Sequence, residues 1–353
     1  MNCRIPENYS SYLSVYDTQK AISLLKRLFE DRLSALLNLQ RVSAPLFVDE
    51  ASGLNDNLNG YERPVKFDIL RSEHKAEIVQ SLAKWKRLAL KRYGFYPGKG
   101  IVADMDAVRR DEDELDNLHS VYVDQWDWEK VILPENRNLD YLKSTVMDIV
   151  AAICDTQETM QAIYPQLQAT GRLSRQVSFI TAQELEDLYP DYTPKQRENA
   201  YLKEHPTAFI IGIGAPLRSG KPHDGRAPDY DDWALNGDLL FWYEPLNCAM
   251  EISSMGIRVD PKSLAEQLKA SGCESRRELP YHKMLLGGEL PLTIGGGIGQ
   301  SRVSMLLLGK IHIGEVQASI WSEETMRACD AAARRRAASC DRAALSCSRS
   351  RRP

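Results

Sequence analysis

The run Gly295-Gly296-Gly297-Ile298-Gly299-Gln300-Ser301-Arg302 constrains this chain more than any other stretch. Four glycines in five positions let bare backbone approach a neighbour or a ligand, and the arginine that closes the run can answer a phosphate. Residues 303–308 have the apolar character of a helix, so the run reads as a tight strand-to-helix turn at a nucleotide site. It is not a dinucleotide fingerprint, because the sixth position from Gly295 is Gln300, and no Gly-Lys-Ser/Thr ending makes it a P-loop. Ile211-Gly212-Ile213-Gly214 fails the same tests.

The rest of the chain decides what kind of sheet such a turn can close. Between residues 17 and 37, Ile22, Leu25, Phe29, Leu33, Leu36 and Leu37 recur at helical spacing, with Asp17 or Thr18 placed to cap the start. An extended stretch, 42–47, follows, and its Pro45 suits a sheet edge or an interface. Alternation returns at Val65, Phe67 and Ile69 and at Val121 and Val123, and further strands are predicted at 209–213, 238–243, 250–259 and 316–321. Helices are predicted at 81–93, 139–164, 194–205, 262–270 and 277–286. Strands and helices do not alternate regularly, which favours an α+β fold with a mainly antiparallel sheet flanked by helices.

Composition narrows the function. At 353 residues, 43% hydrophobic and 27% charged, the chain can bury a large core, and residues 1–321 are expected to form a single domain. Eight arginines against four acids give residues 322–353 a charge of +4, and with no aromatic anchor they are expected to be a disordered tail. The whole chain carries −4, so the body carries −8, which argues against a nucleic-acid-binding surface. No apolar run approaches the roughly 20 residues that span a bilayer, and no signal or transit peptide is evident, so a cytoplasmic protein is expected. Seven cysteines without a Cys-x-x-Cys pair read as free thiols, and six histidines without ligand spacing read as structural or surface residues. Any metal would then be held by carboxylates.

Two stretches add candidate chemistry. A polar turn at 107–112 carries Arg109, whose planar fork suits a phosphate or a carboxylate. The predicted strand at 119–129 puts Gln125, Asp127 and Glu129 on one face and Trp126 and Trp128 on the other. Farther on, Asp229-Tyr230-Asp231-Asp232-Trp233 reads either as a loop turn or as part of a site. Asp238 and Glu251 lie in apolar strands, where a carboxylate is costly unless a cation neutralises it, which makes them candidate Mg²⁺ ligands.

A long helix running to Pro45, the Arg109–Glu112 hairpin, the Glu251 strand and the glycine run ending in Arg302 resemble, in that order, the class II aminoacyl-tRNA synthetase catalytic core. Gln80-Ser81-Leu82-Ala83-Lys84-Trp85-Lys86 is similar to a signature of the aspartyl enzymes, yet there is no segment the size of an anticodon-binding barrel. The span 17–321 resembles more closely the ammonia-dependent asparagine synthetases, the aspartate–ammonia ligases of the A type. The resemblance is carried by 81–87, 119–129, Arg226-Ala227-Pro228-Asp229-Tyr230-Asp231-Asp232-Trp233, Leu235-Asn236-Gly237-Asp238, 253–260 and 293–302. It departs from the family at Gln80, where histidine is common, in a shorter loop between Trp233 and Leu235, and in the arginine-rich tail.

The resemblance implies an enzyme that uses ATP with Mg²⁺ to convert L-aspartate and ammonia to L-asparagine through a β-aspartyl-adenylate. It implies Lys86, Arg109, Asp127 and Arg302 as catalytic residues, with Arg109 at the α-phosphate and Arg302 at the triphosphate and adenine. Lys86 and Arg258 would grip the aspartate carboxylate, while Asp56, Ser81, Gln125, Asp127, Asp231 and Ser254 would hold the rest of that substrate. Glu112, Ser120, Glu251, Gly297 and Gly299 would line the nucleotide pocket, and Asp238 with Glu251 would hold the metal. A homodimer is implied, formed by the long helix and the Pro45 segment. Residue 2 is Asn2 and Cys3 lies one place too far in for an N-terminal cysteine nucleophile, so free ammonia rather than glutamine is the expected donor.

Overall fold

The computed structural model describes residues 3–56, 58, 62–112 and 115–332. The chain begins with α1 (Val15–Leu37), β1 (Leu39–Arg41), β2 (Phe47–Asp49), β3 (Lys66–Asp68), β4 (Lys75–Ile78) and α2 (Ala83–Arg92). The long hairpin β5 (Gly100–Val108) and β6 (Tyr122–Val131) comes next, then α3 (Leu139–Ile163), β7 (Ser178–Thr181), α4 (Ala182–Leu188), α5 (Pro194–Glu204) and β8 (Thr207–Ile211). A second long hairpin, β9 (Asp231–Tyr243) and β10 (Cys248–Arg258), precedes α6 (Pro261–Ala270), α7 (Pro280–Leu286), β11 (Thr293–Gly299) and α8 (Gln300–Leu308).

The main sheet has eight strands in the order β1-β5-β6-β11-β10-β9-β8-β7, parallel only in the two outer pairs. A small sheet, β2-β4-β3, stands beside it. The antiparallel expectation therefore holds, and its reason lies in the connections: β5–β6 and β9–β10 are hairpins that need no crossover.

One face of the sheet is the apolar core. Ala21, Leu25, Phe29, Leu33 and Leu37 of α1 are buried there with α3 and α8 against Trp126, Trp128, Phe241 and Ile252. Trp126 and Trp128 are fully buried, and Phe29 lies 4.6 Å from the Trp126 ring centroid. Each such aromatic contributes about 1.5–3 kcal/mol through burial alone.

Several sequence expectations are corrected. The α1 cap is Ser14, whose hydroxyl accepts from the Asp17 N–H, rather than Asp17 or Thr18. Leu36 is exposed, off the buried stripe. Residues 42–47 do not make a strand: Pro45 separates β1 from β2. Residues 316–321 form no strand either, and run irregularly after a short helical turn at Ile313–Glu315. Asp231-Asp232-Trp233 is not a turn but the first stretch of β9. The helix predicted at 277–286 is α7 alone, because Pro280 starts it afresh after a 3₁₀ turn at Glu274–Glu278. The expected tail is helical over 323–332, with Thr325 and Ala332 buried, while the rest of that expectation lies outside the described residues.

Candidate active site

The glycine run is the largest revision. Gly295 to Gly299 form a central strand, β11, between β6 and β10, and the helix begins at Gln300. The glycines clear space above the sheet. A Cβ on Gly297 would lie 2.2 Å from Gln125 Oε1 and 2.8 Å from Asp127 Oδ1, and one on Gly295 would lie 2.0 Å from Glu129 Oε2. Side chains from β6 thus lean across a strand that has none of its own, and the trench they line is the cavity floor.

The cavity holds about 520 Å³. Every site residue expected from the sequence lines it: Asp56, Ser81 and Lys86 from the first third of the chain; Arg109, Glu112, Ser120, Gln125 and Asp127 from the β5–β6 hairpin; Asp231, Asp238, Glu251, Ser254 and Arg258 from β9 and β10; and Gly297, Gly299 and Arg302. Alternation on β6 works as expected, with Gln125, Asp127 and Glu129 on the site side and the two tryptophans beneath. On β10 a bulge between Glu251 and Ser253 shifts the register, so Glu251 and Ser254 reach the same side, and the Ser254 hydroxyl lies 3.0 Å from Glu251 Oε1.

One end of the cavity is densely paired. Helix α2 delivers Lys86, 1% exposed, and its Nζ lies 3.0 Å from Asp127 Oδ1 and 2.9 Å from the Gly296 carbonyl. Burial lowers the Lys86 pKa, which Asp127 opposes without cancelling. Arg258 donates to both oxygens of Glu129, at 2.7 to 3.0 Å, and to Asp231. Burial works against ionised Glu129, but Arg258 outweighs it and holds the pKa below the usual range. Asp127 Oδ2 is buried without a hydrogen-bond partner. Asp56 is also buried, and burial raises its pKa despite the nearby Lys84 and Arg109.

The other end is open. Arg109 and Arg302 are half-buried. Among the described residues, Arg109 Nε has no hydrogen-bond partner, and Arg302 donates only to the carbonyls of Leu118 and Glu251. Asp238 and Glu251 share the Ser254 hydroxyl, at 2.7 and 3.0 Å. One hydroxyl proton serves two carboxylates poorly unless one of them is protonated or a cation lies between them. The pKa of Asp238 is raised, by burial and then by the neighbouring Glu251 against the pull of Arg226. Burial also works against ionised Glu251, but the charges of Arg302 and Arg226 outweigh it and lower its pKa.

Sequence reasoning gave no role to several cavity residues, His119 and Arg226 among them. His119, read as structural, lies in the lining and pairs with Asp116. Arg226, quoted within a motif but given no role, is the ion-pair partner of Asp238 at 2.5 Å. Its partners, Asp231 and Asp238, lie close by in sequence, but only the unusual density of acids at 229–232 hinted at a cation among them. Among the described residues no group of three or more His, Cys, Asp or Glu side chains is arranged to cage a metal. Two hard carboxylates nonetheless fit Mg²⁺, which usually takes one or two protein carboxylates and completes its shell with phosphate and water.

An eight-stranded, largely antiparallel sheet with this cavity on one face defines the class II aminoacyl-tRNA synthetase fold. The asparaginyl-tRNA synthetase of Entamoeba histolytica, in complex with asparaginyl-adenylate, matches with a TM-score of 0.64 at 14% identity, covering 86% of this chain and 66% of that one. The asparaginyl-tRNA synthetase of Pyrococcus horikoshii, also complexed with asparaginyl-adenylate, gives 0.64 at 16% identity, over 87% and 70%. Within this class the chain belongs to the aspartate–ammonia ligase family, whose model matches residues 16–333. The aspartate–ammonia ligase of Lactobacillus acidophilus is 60% identical over 332 residues, 94% of this chain and 98% of its own length. That of Clostridium perfringens is 58% identical over 327 residues, 92% and 96%.

Proposed function

We propose that the protein is an aspartate–ammonia ligase that forms asparagine in two steps. The aspartate β-carboxylate attacks the ATP α-phosphorus, pyrophosphate leaves, and ammonia then displaces AMP from the β-aspartyl-adenylate. A carboxylate becomes an acceptor for ammonia only after one oxygen is turned into a good leaving group, so the site must neutralise phosphate charge and align two reactants. The observation that carries this reading is one cavity with paired cations at one end, Lys86 and Arg258, and under-used guanidinium groups at the other, Arg109 and Arg302.

Lys86 and Arg258 would hold aspartate's carboxylates, with Ser81, Gln125, Asp231 and Ser254 around them. Asp127, through its unpartnered Oδ2, and Asp56 would accept the N–H groups of the α-ammonium or of the incoming amine. Arg109 would meet the α-phosphate, and Arg302 the triphosphate and adenine. Glu112, Ser120, Gly297 and Gly299 would line the nucleotide's remaining edges. Mg²⁺, which Asp238 and Glu251 would hold, neutralises phosphate charge when bound. No helix among the described residues is long and apolar enough to cross a membrane. We also propose a cytoplasmic homodimer that needs no nucleic acid, with residues 1–321 as one catalytic domain.

Purified protein supplied with aspartate, ATP, Mg²⁺ and either ammonium or glutamine tests the reading directly. Asparagine with AMP and pyrophosphate, formed from ammonium, is the expected result. ADP as the nucleotide product, or no asparagine, would refute it.

A further inference from the structure

Along the cavity, charged side chains alternate in sign from Glu129 to Asp238. Glu129 pairs with Arg258 at 2.7 Å, Arg258 with Asp231, and Arg226 Nε lies 3.8 Å from Asp231 Oδ2. Arg226 Nη2 then reaches Asp238 at 2.5 Å, and Ser254 links Asp238 to Glu251. Arg226 is the middle member. It stands between the end that would hold aspartate and the end that would hold the nucleotide, at the place where a β-carboxylate and an α-phosphate would have to meet.

We infer that Arg226 is a further catalytic residue for adenylate formation, bridging the attacking carboxylate and the α-phosphate. This rests on the ligase reading above. Arg226 lines the cavity, and its Nε is buried without a hydrogen-bond partner, so it has a donor free for an arriving oxyanion. Asp231 is already engaged by Arg258, so Asp231 does not use up the Arg226 charge. The side chain is also held in place. At Gly214, with φ at +107°, an added Cβ would lie 2.5 Å from Trp233 Nε1 and 2.9 Å from Arg226 Cβ, so this glycine lets the base of the Arg226 side chain and the Trp233 indole both pack against its backbone.

In the step itself, an oxygen of the β-carboxylate forms the new bond to phosphorus as the bond to the bridging oxygen breaks, and pyrophosphate leaves with that electron pair. Arg226 keeps its proton throughout and donates hydrogen bonds to oxygens of the carboxylate and the phosphoryl group, where negative charge accumulates. A planar fork suits two acceptors on different molecules better than a single ammonium does.

The test is aspartate-dependent exchange of pyrophosphate into ATP by Arg226→Ala and Arg226→Lys. For the alanine variant, kcat should fall by about 10²–10³, the loss typical of removing a donor to developing charge. KM for aspartate and for ATP should stay within about fivefold, and millimolar guanidinium should restore at least about tenfold of the lost rate. The lysine variant keeps the charge and guards against misfolding of the alanine variant, and it should still lose at least about tenfold in kcat. Wild-type rates in either variant, a defect confined to KM, or a loss that added guanidinium does not restore would each overturn the inference. Absence of exchange in the unmodified enzyme would refute the adenylation reading itself.

Discussion

The two ends of the cavity are built on opposite principles. At the Lys86–Arg258 end every cation already has protein carboxylates, and Lys86, Arg258 and Glu129 are 3% exposed or less. At the Arg109–Arg302 end the guanidinium groups are half-buried and, among the described residues, have few protein acceptors. A pre-paired end loses little freedom when a small substrate arrives and can discriminate by shape, because its geometry is fixed beforehand. An end with unused donors supplies charge to whatever anion enters, and a polyphosphate has charge in excess. The contrast fits a small, specifically recognised acid at one end and a nucleotide at the other.

The most disruptive way to challenge this contrast is Arg258→Met. It leaves Glu129 and Asp231 buried without their cation, so stability should fall by about 3–5 kcal/mol in chemical denaturation, and adenylation should vanish with it. A stable, active variant would show that the dense end is not pre-organised by its ion pairs.

A smaller effect is expected at the open end. Arg302→Gln should raise KM for ATP by about tenfold or more while costing less stability than Arg258→Met, because the guanidinium gives up two carbonyl hydrogen bonds and its charge beside Glu251 rather than close pairs with two buried carboxylates. A thermal shift as large as that of Arg258→Met would remove the distinction between the ends.

The smallest expected effect is the dependence on pH. Glu129 has a lowered pKa and Asp238 a raised one, so mild acidification should protonate Asp238 first. Activity should fall as pH drops through a value above the ordinary carboxylate range, and the loss should register in KM for ATP rather than for aspartate. The stability contribution of Asp238 runs the other way. A raised native pKa means the folded state binds the proton more tightly, so this group favours the fold below its native pKa and ceases to do so as pH rises through it. Asp238→Asn should remove the acidic limb from the activity profile. If the limb persists, Asp238 is not the group that titrates.

Much of this was readable in the sequence, and the failures share one cause. The alternation of β6 placed Gln125 and Asp127 opposite Trp126 and Trp128 because a strand's period is fixed by its backbone. The buried stripe of α1 was legible for the same reason. Gly295 to Gly299 misled, because glycines signal a turn locally, while here they respond to side chains from β6 that lie about 170 positions away in the chain. Asp231 and Asp232 looked like loop residues for want of their cations, buried Arg258 and half-buried Arg137. Arg226 could not be singled out, since its importance arises from where the fold puts Asp238 and Asp231. Local periods are written in the chain; charge partners exist only after folding.

Strand β6 bears tryptophans against the α1 layer on one side and Gln125 and Asp127 in the cavity on the other. It acts as a single beam, loaded from below by the core and carrying the reactive cargo above. Any substitution that lets Trp126 or Trp128 resettle will tilt the cargo by a fraction of an ångström. Heat tolerance and turnover in this protein are therefore mechanically geared to each other, and adjusting one through the tryptophan layer will register in the other.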